Sequence, residues 1–467
     1  MTSPIAITAS GWRGILGDDF TCSKLRRLAR GVARHFQAER RGRPRILVGF
    51  DTRFLSDQFA ADVAAVLAEE GALPVLATGF APAPALSHAV AHRGLDAGIH
   101  VTAGRHPAEY NGVMLLTRGG GAVPAETGRR IAACANEIQD TSPAGPLAAT
   151  KLPTLDPAPD YKKAVLKQLR RKAAARARQR VVCDPIHGAA SDYLPSLLAS
   201  RSSVFAIRSQ RDVQFGGEAP DCTEKHVAPL MKEVRGRKAH LGLAVDGDGE
   251  RFGVVDRDGS FVPSGWILAL LADYLLETRR SRLGIARSTA TTRLLDDVAG
   301  AHAVPLFEIP VDSTEAHDLF ADGKALLACE EDGGLWVAGH LPLRDGLLAA
   351  CLVAEMSAAR SKPLRRLVDE LFRKTGPRHS GRAEHALPAD AVEEVQDRLE
   401  SPPASLAGKK VVELRRGDGT CFRFADGSWL LIRLLVADSL ARCHAEARSP
   451  KDVVRLVDAG RALLQAS

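Results

Sequence analysis

The chain has 467 residues, of which 45% are hydrophobic and 25% are charged, and its formal net charge is +7. This composition is that of an ordinary globular protein, and the length exceeds one core, so about three domains are expected. Residues 1–12 lack the basic and long apolar regions of a signal peptide, and the most apolar stretch, Ile267–Leu276, is about half a membrane span. These features predict a cytoplasmic protein without a membrane segment.

The cysteine spacing and the charge distribution further limit the cellular compartment and the binding functions that are expected. The eight cysteines form no CxxC pair and no zinc-like cluster, which favours a reducing compartment. Residues 162–180 hold nine Lys and Arg and no acid. That run contains no aromatic residue to stack on a base, and no nucleic-acid motif lies nearby. A solvated helix face is therefore favoured over nucleic-acid binding.

One supersecondary pattern occurs three times along the chain. In the first copy, a β-branched strand at Arg45–Phe50 precedes a helix that Ser56 is predicted to cap, and a strand follows at Leu73–Ala77. The second copy spans residues 180–207 and the third spans residues 283–309. Strand, helix and strand at this spacing predict βαβ units and much parallel pairing. The recurrence predicts three similar α/β domains.

The remaining segments differ from this pattern. Residues 141–160 hold five prolines and little periodicity, so they are predicted to be an interdomain linker. Near the C-terminus, strands are predicted at 411–414, 420–424 and 428–435, with an Asp426-Gly427 turn joining the last two. A final helix is predicted to start at Ser449-Pro450. The predicted fold is three mixed-sheet α/β domains plus a C-terminal α+β domain.

An acidic loop, Asp246–Arg251, reads DGDGER between two apolar runs. Its alternating carboxylates are able to curl three oxygens around one hard cation, and its glycines supply the backbone freedom for that curl: Asp246, Asp248 and Glu250. An EF-hand is excluded, because its twelfth position would be Arg257 instead of a bidentate glutamate. From spacing alone, an acidic turn between strands and a metal site are about equally supported.

Five stretches, taken together, resemble the motifs of the α-D-phosphohexomutases, the phosphoglucomutases and phosphomannomutases. They are SGWRG from Ser10, VGFDTRF from Val48, TAGRHPAEYNG from Thr102, DGDGER from Asp246, and EEDGG from Glu330 with GHLP and RDG after it. Each motif alone is weak, but their order and spacing cover nearly the whole chain. The resemblance is therefore specific.

The resemblance implies four domains around a central cleft, at residues 1–145, 146–252, 253–372 and 373–467. In such enzymes a phosphoserine donates its phosphate to a hexose phosphate, and Mg²⁺ bridges that serine and the loop carboxylates. A loop of the third domain holds sugar hydroxyls, and a loop of the fourth holds the distal phosphate. Carried over by position, the catalytic set is Arg13, Gly104 and Arg251, the metal set is Asp246, Asp248 and Glu250, and the substrate-binding set is Glu330, Asp332 and Arg433.

Several of these positions depart from the family pattern. Gly104 stands where the phosphoserine belongs and has no oxygen to phosphorylate. Asp332 replaces a sugar-contacting serine, and the segment 433–438 stands where RPSGTE is expected. Other departures are Arg105, His106, Met114, Glu250 and Thr314. Because phosphoryl transfer depends on positioning and charge neutralisation, these losses predict that the ordinary mutase cycle does not run.

Three hypotheses follow. The first is a family member without mutase activity that keeps a weak Mg²⁺ loop and binds a hexose phosphate or a protein partner. The second is an active phosphotransferase in which Ser10, Thr102 or His106 accepts the phosphate. The third, and weakest, is a nucleic-acid binder that uses the basic residues 162–180.

Overall fold

The computed structural model describes residues 3–8, 10–39, 42–139, 152–170, 179–436 and 439–465. Most of the predicted linker, the basic residues 171–178, and positions 437 and 438 of the segment 433–438 lie outside these ranges. The described residues form four sheets.

The first domain contains a six-stranded sheet in the order β1-β5-β4-β2-β3-β6. Its strands are β1 (Trp12–Ile15), β2 (Arg45–Phe50), β3 (Leu73–Ala77), β4 (Ala97–Val101), β5 (Tyr110–Thr117) and β6 (Thr154–Leu155). Its helices are α1 (Cys22–Glu39), α2 (Ser56–Glu69), α3 (Ala83–His92) and α4 (Ala125–Glu137). Strands β2 and β4 are almost wholly buried, as expected for central strands covered by helices.

The second domain contains a five-stranded sheet in the order β11-β10-β9-β7-β8. Its strands are β7 (Arg180–Asp184), β8 (Ser203–Ala206), β9 (Leu241–Val245), β10 (Phe252–Asp256) and β11 (Phe261–Val262). Its helices are α5 (Ala158–Gln168), α6 (Leu194–Ala199) and α7 (Ala228–Gly236), with a short 3₁₀ helix at Phe215–Gly217.

The third domain contains a four-stranded sheet in the order β13-β12-β14-β15. Its strands are β12 (Gly284–Ser288), β13 (Leu306–Ile309), β14 (Ala325–Cys329) and β15 (Leu335–Val337). Its helices are α8 (Ser264–Arg279), α9 (Leu294–His302), α10 (Glu315–Ala321), α11 (Gly346–Arg360) and α12 (Leu364–Thr375). Helices α8 and α11 are buried along most of their length, so they belong to the interior of the molecule.

These three sheets share one topology. In each, the first strand of the unit lies between the next two and is parallel to both, and a fourth strand pairs antiparallel with the third. The prediction of three similar mixed-sheet domains is therefore confirmed. The second sheet continues to Val262, so the boundary predicted after residue 252 falls within it.

The fourth domain is an antiparallel sheet in the order β16-β21-β20-β19-β18-β17 with helices α13 (Val392–Glu400) and α14 (Pro450–Leu464). Its strands are β16 (His379–Ala386), β17 (Ser405–Leu406), β18 (Lys409–Arg416), β19 (Thr420–Phe424), β20 (Trp429–Leu435) and β21 (Leu440–Ala447). The predicted hairpin and the cap at Ser449, whose hydroxyl accepts from the Asp452 amide, are both present. The predicted α+β domain is thus confirmed.

One local prediction is wrong. Ser56 does not cap α2, because Leu55 occupies the N-cap position with a φ of +58° and no side-chain cap forms. The Ser56 hydroxyl instead donates a 2.9 Å hydrogen bond to Asp51. In addition, none of the described helices combines the length and apolar character needed to cross a membrane.

Candidate active site

Two loops meet where the first and second domains face each other. The acceptor loop, residues 102–110, follows β4, and the acidic loop, Asp246–Arg251, joins β9 to β10. Gly104 has a φ of +56°, and a Cβ at this position would lie 3.1 Å from Oδ2 of Asp248. A Cβ on Gly247 would lie only 2.4 Å from the Gly104 carbonyl oxygen, so this approach requires glycine there. Position 104 therefore lies directly beside the acidic loop.

Arg53 fixes the backbone of the acceptor loop. Its side chain is fully buried, and its Nε lies 3.2 Å from the carboxylate of Asp51. Its terminal nitrogens donate hydrogen bonds of 2.6–3.0 Å to the carbonyls of Gly104, His106, Pro107 and Tyr110. Because all four acceptors are backbone atoms, the loop keeps its shape whichever side chain stands at position 104.

Asp51 completes this support from the same VGFDTRF motif. One of its carboxylate oxygens accepts from Ser56, and the other accepts from the Thr102 hydroxyl at 2.7 Å. The Thr102 hydroxyl also accepts from the Gly104 amide at 3.0 Å. Thr102 is therefore fully engaged and buried, which argues against it as a phosphoryl acceptor.

The carboxylates of the acidic loop are buried and partly paired. Asp246 accepts from the Arg251 amide at 3.1 Å and lies 3.4 Å from its guanidinium. Oε2 of Glu250 lies 3.3 Å from Nε of Arg344. Burial, together with the charge of Asp248, raises the pKa of Asp246 well above its usual value. Two buried oxygens, Oδ1 of Asp248 and Oε1 of Glu250, have no hydrogen-bond partner among the described residues.

These two oxygens are relevant to the Mg²⁺ site that the family resemblance implies. An oxygen-only donor set with two unpartnered buried oxygens has the chemistry that a hard cation requires. However, no group of three His, Cys, Asp or Glu side chains within the described ranges is arranged to hold a metal ion. The carboxylate of Asp246 is engaged by the amide and the guanidinium of Arg251. The groups left to bind a cation are therefore two oxygens instead of three carboxylates. The residues fit a weakly held cation.

Arg13 lies beside the acidic loop, as the resemblance implies. Burial lowers the pKa of Arg13 to about 10, while the charges of Asp248 and Glu250 oppose that shift. Its Nη1 donates to the Trp12 carbonyl at 3.0 Å. Arg13 and Arg251 thus place two guanidiniums at the loop, and their catalytic roles stay a prediction.

Asp332 forms the main ion pair across the cleft. Its Oδ2 lies 2.5 Å from Nε of Arg251, and Arg105 lies 3.9 Å from both Asp332 and Asp221. Burial alone would raise the pKa of Asp332, but the guanidiniums of Arg251 and Arg105 hold it well below its usual value. The aspartate at the position of the sugar-contacting serine is therefore charged and connects the first three domains.

Glu330, predicted to bind substrate, is engaged by protein groups. Its two oxygens accept from Arg344 at 2.7 Å and from the Asp312 amide at 3.0 Å. Burial raises the pKa of Glu330 to about 8 although Arg344 opposes it. The next residue, Glu331, has a buried Oε2 without a hydrogen-bond partner among the described residues. Sequence reasoning missed Glu331 and Arg344, although both lie within the quoted motifs.

The fourth domain presents cationic side chains to the cleft. Strand β20 continues through Leu435, and its register with β21 forms a hairpin where the family pattern has a phosphate-binding loop. Arg433 lies opposite Arg442, and Arg382 lies opposite His444, so the four side chains share one face. Burial and the nearby guanidiniums of Arg382, Arg442 and Arg433 lower the pKa of His444 well below its usual value.

The guanidinium of Arg433 is only partly engaged by other protein groups. Its Nε donates to Asp418 at 2.9 Å, and its buried Nη1 has no partner among the described residues. Burial and the neighbouring charges of Arg105 and Arg442 lower the pKa of Arg382, which places Arg382 near the acceptor loop. The sequence predicted Arg433 but not the cluster around it.

Comparison with known proteins identifies the same family as the sequence motifs. Models of phosphoglucomutase/phosphomannomutase alpha/beta/alpha domains I, II and III match residues 5–142, 159–259 and 264–375. A phosphoglucomutase/phosphomannomutase of Thermococcus kodakarensis is 28% identical over 97% of both chains. A phosphoglucosamine mutase of Parafrankia sp. is 30% identical over 86% of this chain and 84% of its own length.

A solved structure matches along the full length. The crystal structure of a Thermus thermophilus protein, assigned as a phosphomannomutase, covers 100% of both chains with a TM-score of 0.86 and 29% identity. Three consecutive domain models, full-length relatives and this structure agree with the motifs and the four-domain fold. The chain therefore belongs to the phosphoglucomutase and phosphomannomutase family, the α-D-phosphohexomutase superfamily.

Proposed function

We propose that this protein binds a hexose phosphate in the central cleft and does not run the phosphoserine mutase cycle. The observation that carries the proposal is the position of Gly104. Its α-carbon lies beside Asp248 on a loop held by Arg53, where a serine would place its hydroxyl at the acidic loop. Without an oxygen at that position, the covalent route of the family has no acceptor.

Binding is supported by the charge of the cleft walls. Arg13 and Arg105 approach from the first domain and Arg251 from the second, while Arg382 and Arg442 belong to the fourth. Guanidinium groups pair with phosphate oxygens in a bidentate manner. The hairpin at residues 433–440 supplies no serine or threonine before Ser439, so we assign recognition of the second anionic group to the arginine face.

We also propose weak Mg²⁺ binding at Asp248 and Glu250, whose free oxygens would hold the ion. Bound magnesium supplies charge neutralisation next to a phosphoryl group. Calorimetry of the folded protein with MgCl₂ or MnCl₂ is expected to show weak binding that is lost in Asp248→Asn. The absence of heat with either ion removes metal from this function.

A second candidate is a phosphotransferase that uses His106. Desolvation of the His106 ring by the surrounding cleft, with the nearby charges of Arg13 and Arg105, lowers its pKa to about 3. The ring is therefore neutral at neutral pH, the form in which an imidazole nitrogen is nucleophilic. Neighbouring guanidiniums would stabilise the negative charge of a transferred phosphoryl group.

Intact-mass measurement after incubation with glucose 1,6-bisphosphate separates the two candidates. The proposed function predicts no covalent phosphate, together with calorimetric binding of glucose 1-phosphate or glucose 6-phosphate. A phosphate adduct that is labile in acid and absent in His106→Asn supports the phosphotransferase instead.

Matched variants test where the sugar phosphate binds. Arg382→Gln with Arg442→Gln is expected to weaken binding about tenfold or more, since charge-assisted hydrogen bonds are among the stronger polar contacts. Arg129→Gln with Arg130→Gln, two exposed arginines of α4 paired with Glu126, provides the same charge change away from the cleft. Equal losses in both pairs contradict specific binding in the cleft.

A further inference from the structure

A pocket of about 300 Å³ lies on the second domain and is lined almost entirely by basic side chains. Ala239 contributes to its floor, and the other lining residues are Arg180, Arg235, Lys238, His240 and Arg257. We call it the domain II basic pocket. It lies at the start of β9, whereas the acidic loop follows the end of β9, roughly 16 Å away at about 3.3 Å per residue. The pocket is therefore separate from the candidate active site.

Strand register explains how the pocket forms. Val181 of β7 lies beside Leu241 of β9, and Leu241 lies beside Asp256 of β10. Arg180, His240 and Arg257 each occupy the position just outside these paired residues. Adjacent strands are about 4.8 Å apart, so three basic side chains lie in one row at the end of the sheet. Arg235 and Lys238 approach from the end of α7.

Carboxylates do not neutralise this row. Throughout the described ranges, none of the pocket's three arginines or Lys238 forms an ion pair with an acid, whereas the neighbouring Arg237 pairs with Glu233 at 2.8 Å. The Arg180 guanidinium donates instead to the Lys238 carbonyl at 2.8 Å, which holds it at the pocket. Like charges this close repel each other, so a bound anion would relieve the repulsion.

His240 adds a directed donor to these charges. Its Nδ1 accepts the Arg180 amide at 3.0 Å, so the proton of the neutral ring is on Nε2. Burial, followed by the charges of Arg180 and Arg257, lowers the pKa of His240. The pocket thus combines arginine and lysine charges with a fixed imidazole N–H.

We propose that the domain II basic pocket binds a small, multiply charged phosphate anion. Its volume is in the range of small-ligand pockets, and arginine forks match phosphate oxygens. Among the described residues, no Phe, Tyr or Trp lines it, so it favours phosphate groups over a stacked nucleobase. A chain of linked phosphates is therefore the recognised group, whether free or as the tail of a nucleotide.

Calorimetry with the full chain at physiological salt tests this proposal with sodium tripolyphosphate and orthophosphate. Tripolyphosphate is expected to bind at least tenfold more tightly than orthophosphate. Arg180→Gln with Arg257→Gln, and separately Arg235→Gln, should weaken tripolyphosphate binding tenfold or more. Arg129→Gln with Arg130→Gln is the charge-matched control and should not change it. Circular dichroism confirms that each variant is folded.

Further arms separate the sources of the phosphate. ATP binding within tenfold of tripolyphosphate shows that the phosphates alone are recognised and that a nucleotide tail fits, whereas ATP binding at least tenfold weaker identifies free polyphosphate. ATP binding more than tenfold tighter requires a contact to the base or sugar and overturns recognition of phosphate alone. A single-stranded oligonucleotide that binds more tightly than either and competes with tripolyphosphate overturns the proposal in favour of a nucleic-acid surface. Equal weakening in pocket and control variants, or none in the pocket variants, also overturns it.

Discussion

The first and fourth domains face the same cleft but differ in how they depart from the family pattern. In the first domain, Arg53 holds four carbonyls of the acceptor loop, and the departures are side-chain changes on that scaffold, chiefly Gly104 in place of the serine. In the fourth domain, the phosphate-binding loop itself is replaced by a hairpin between β20 and β21. The first domain thus keeps its scaffold without the reactive group, whereas the fourth has a different scaffold.

This difference indicates what each side still does. The acceptor-loop backbone is tied to the buried Arg53, so its shape does not depend on the side chain at position 104. A surface loop carries no such structural requirement, and its replacement by a short turn leaves the sheet intact. Under the proposed function, restoring the family pattern would therefore need single-residue changes in the first domain but a whole loop in the fourth.

The largest expected effect is that of Arg53→Ala. Removal of the guanidinium leaves the buried charge of Asp51 without its counter-ion and four carbonyls without their donor. Breaking a buried ion pair costs about 3–5 kcal/mol, so the free energy of unfolding in urea should fall by that amount. The exposed Arg129→Ala should change it by less than about 0.5 kcal/mol. A similar small change for Arg53→Ala would mean that the loop is held by other contacts.

The second effect is the loss of stability on acidification, to which His100 of β4 contributes. Burial lowers its pKa to about 4 from the usual 6.5, with the charge of Arg13 acting in the same direction and Asp51 opposing it. Because the unfolded chain takes up this proton first, stability is full above the ordinary pKa of 6.5 and falls as the pH approaches 4. The difference between the two pKa values corresponds to about 3 kcal/mol.

Urea unfolding of the wild type and His100→Asn at several pH values measures this contribution. The variant should show a shallower loss of stability between the two pKa values, whatever its stability at neutral pH. Parallel curves would show that His100 is not the group that titrates.

Much of the fold was predictable from sequence because its signals are local. The strands Arg45–Phe50, Leu73–Ala77, Arg180–Asp184 and Thr420–Phe424 occur at the predicted residues. All four are short apolar runs, and all but Leu73–Ala77 are rich in the β-branched or aromatic residues that strands prefer. The Ser56 cap failed because Asp51, five positions earlier, takes its hydroxyl, which propensity does not reveal.

The site was predictable only where a motif places its residues. The motifs identified Arg13, Gly104 and the acidic loop, which lie together. They did not reveal that Arg344 engages Glu330, since that pairing depends on how two loops pack. The arginine face of the fourth domain depends on strand register, which brings Arg382 and Arg442 onto one face from positions sixty residues apart.

The third prediction, Gly104→Ser, sharpens the comparison between the two domains. Gly104 has a φ of +56°, and a left-handed backbone costs a non-glycine residue about 1–2 kcal/mol, so unfolding should become easier by about that amount. Mutase activity with glucose 1-phosphate should stay absent, because reorientation of a bisphosphate requires both of its ends to be held. Coupled-enzyme assays with and without glucose 1,6-bisphosphate measure this directly.

A variant that also carries Arg105→His and PSGTEP at 434–439 is the matched repair. Activity that returns only in this combined variant locates the second defect outside position 104. Strong activity in Gly104→Ser alone contradicts the importance assigned to the fourth domain.

The smallest expected effect on stability is that of Arg433→Ala, the counterpart of Arg53→Ala across the cleft. Arg433 pairs with Asp418 at 2.9 Å, but Asp418 also accepts from the Thr289 hydroxyl and the Val311 amide. Loss of the guanidinium therefore leaves Asp418 with two donors, and the free energy of unfolding should fall by about 1 kcal/mol, the net contribution of one hydrogen bond. The buried Nη1 of Arg433 has no partner among the described residues, which predicts a larger effect on binding of glucose 6-phosphate. Arg433→Lys keeps the charge and should retain part of that affinity. A loss of stability as large as that of Arg53→Ala, with unchanged affinity, would make Arg433 a structural residue and remove the contrast between the two domains.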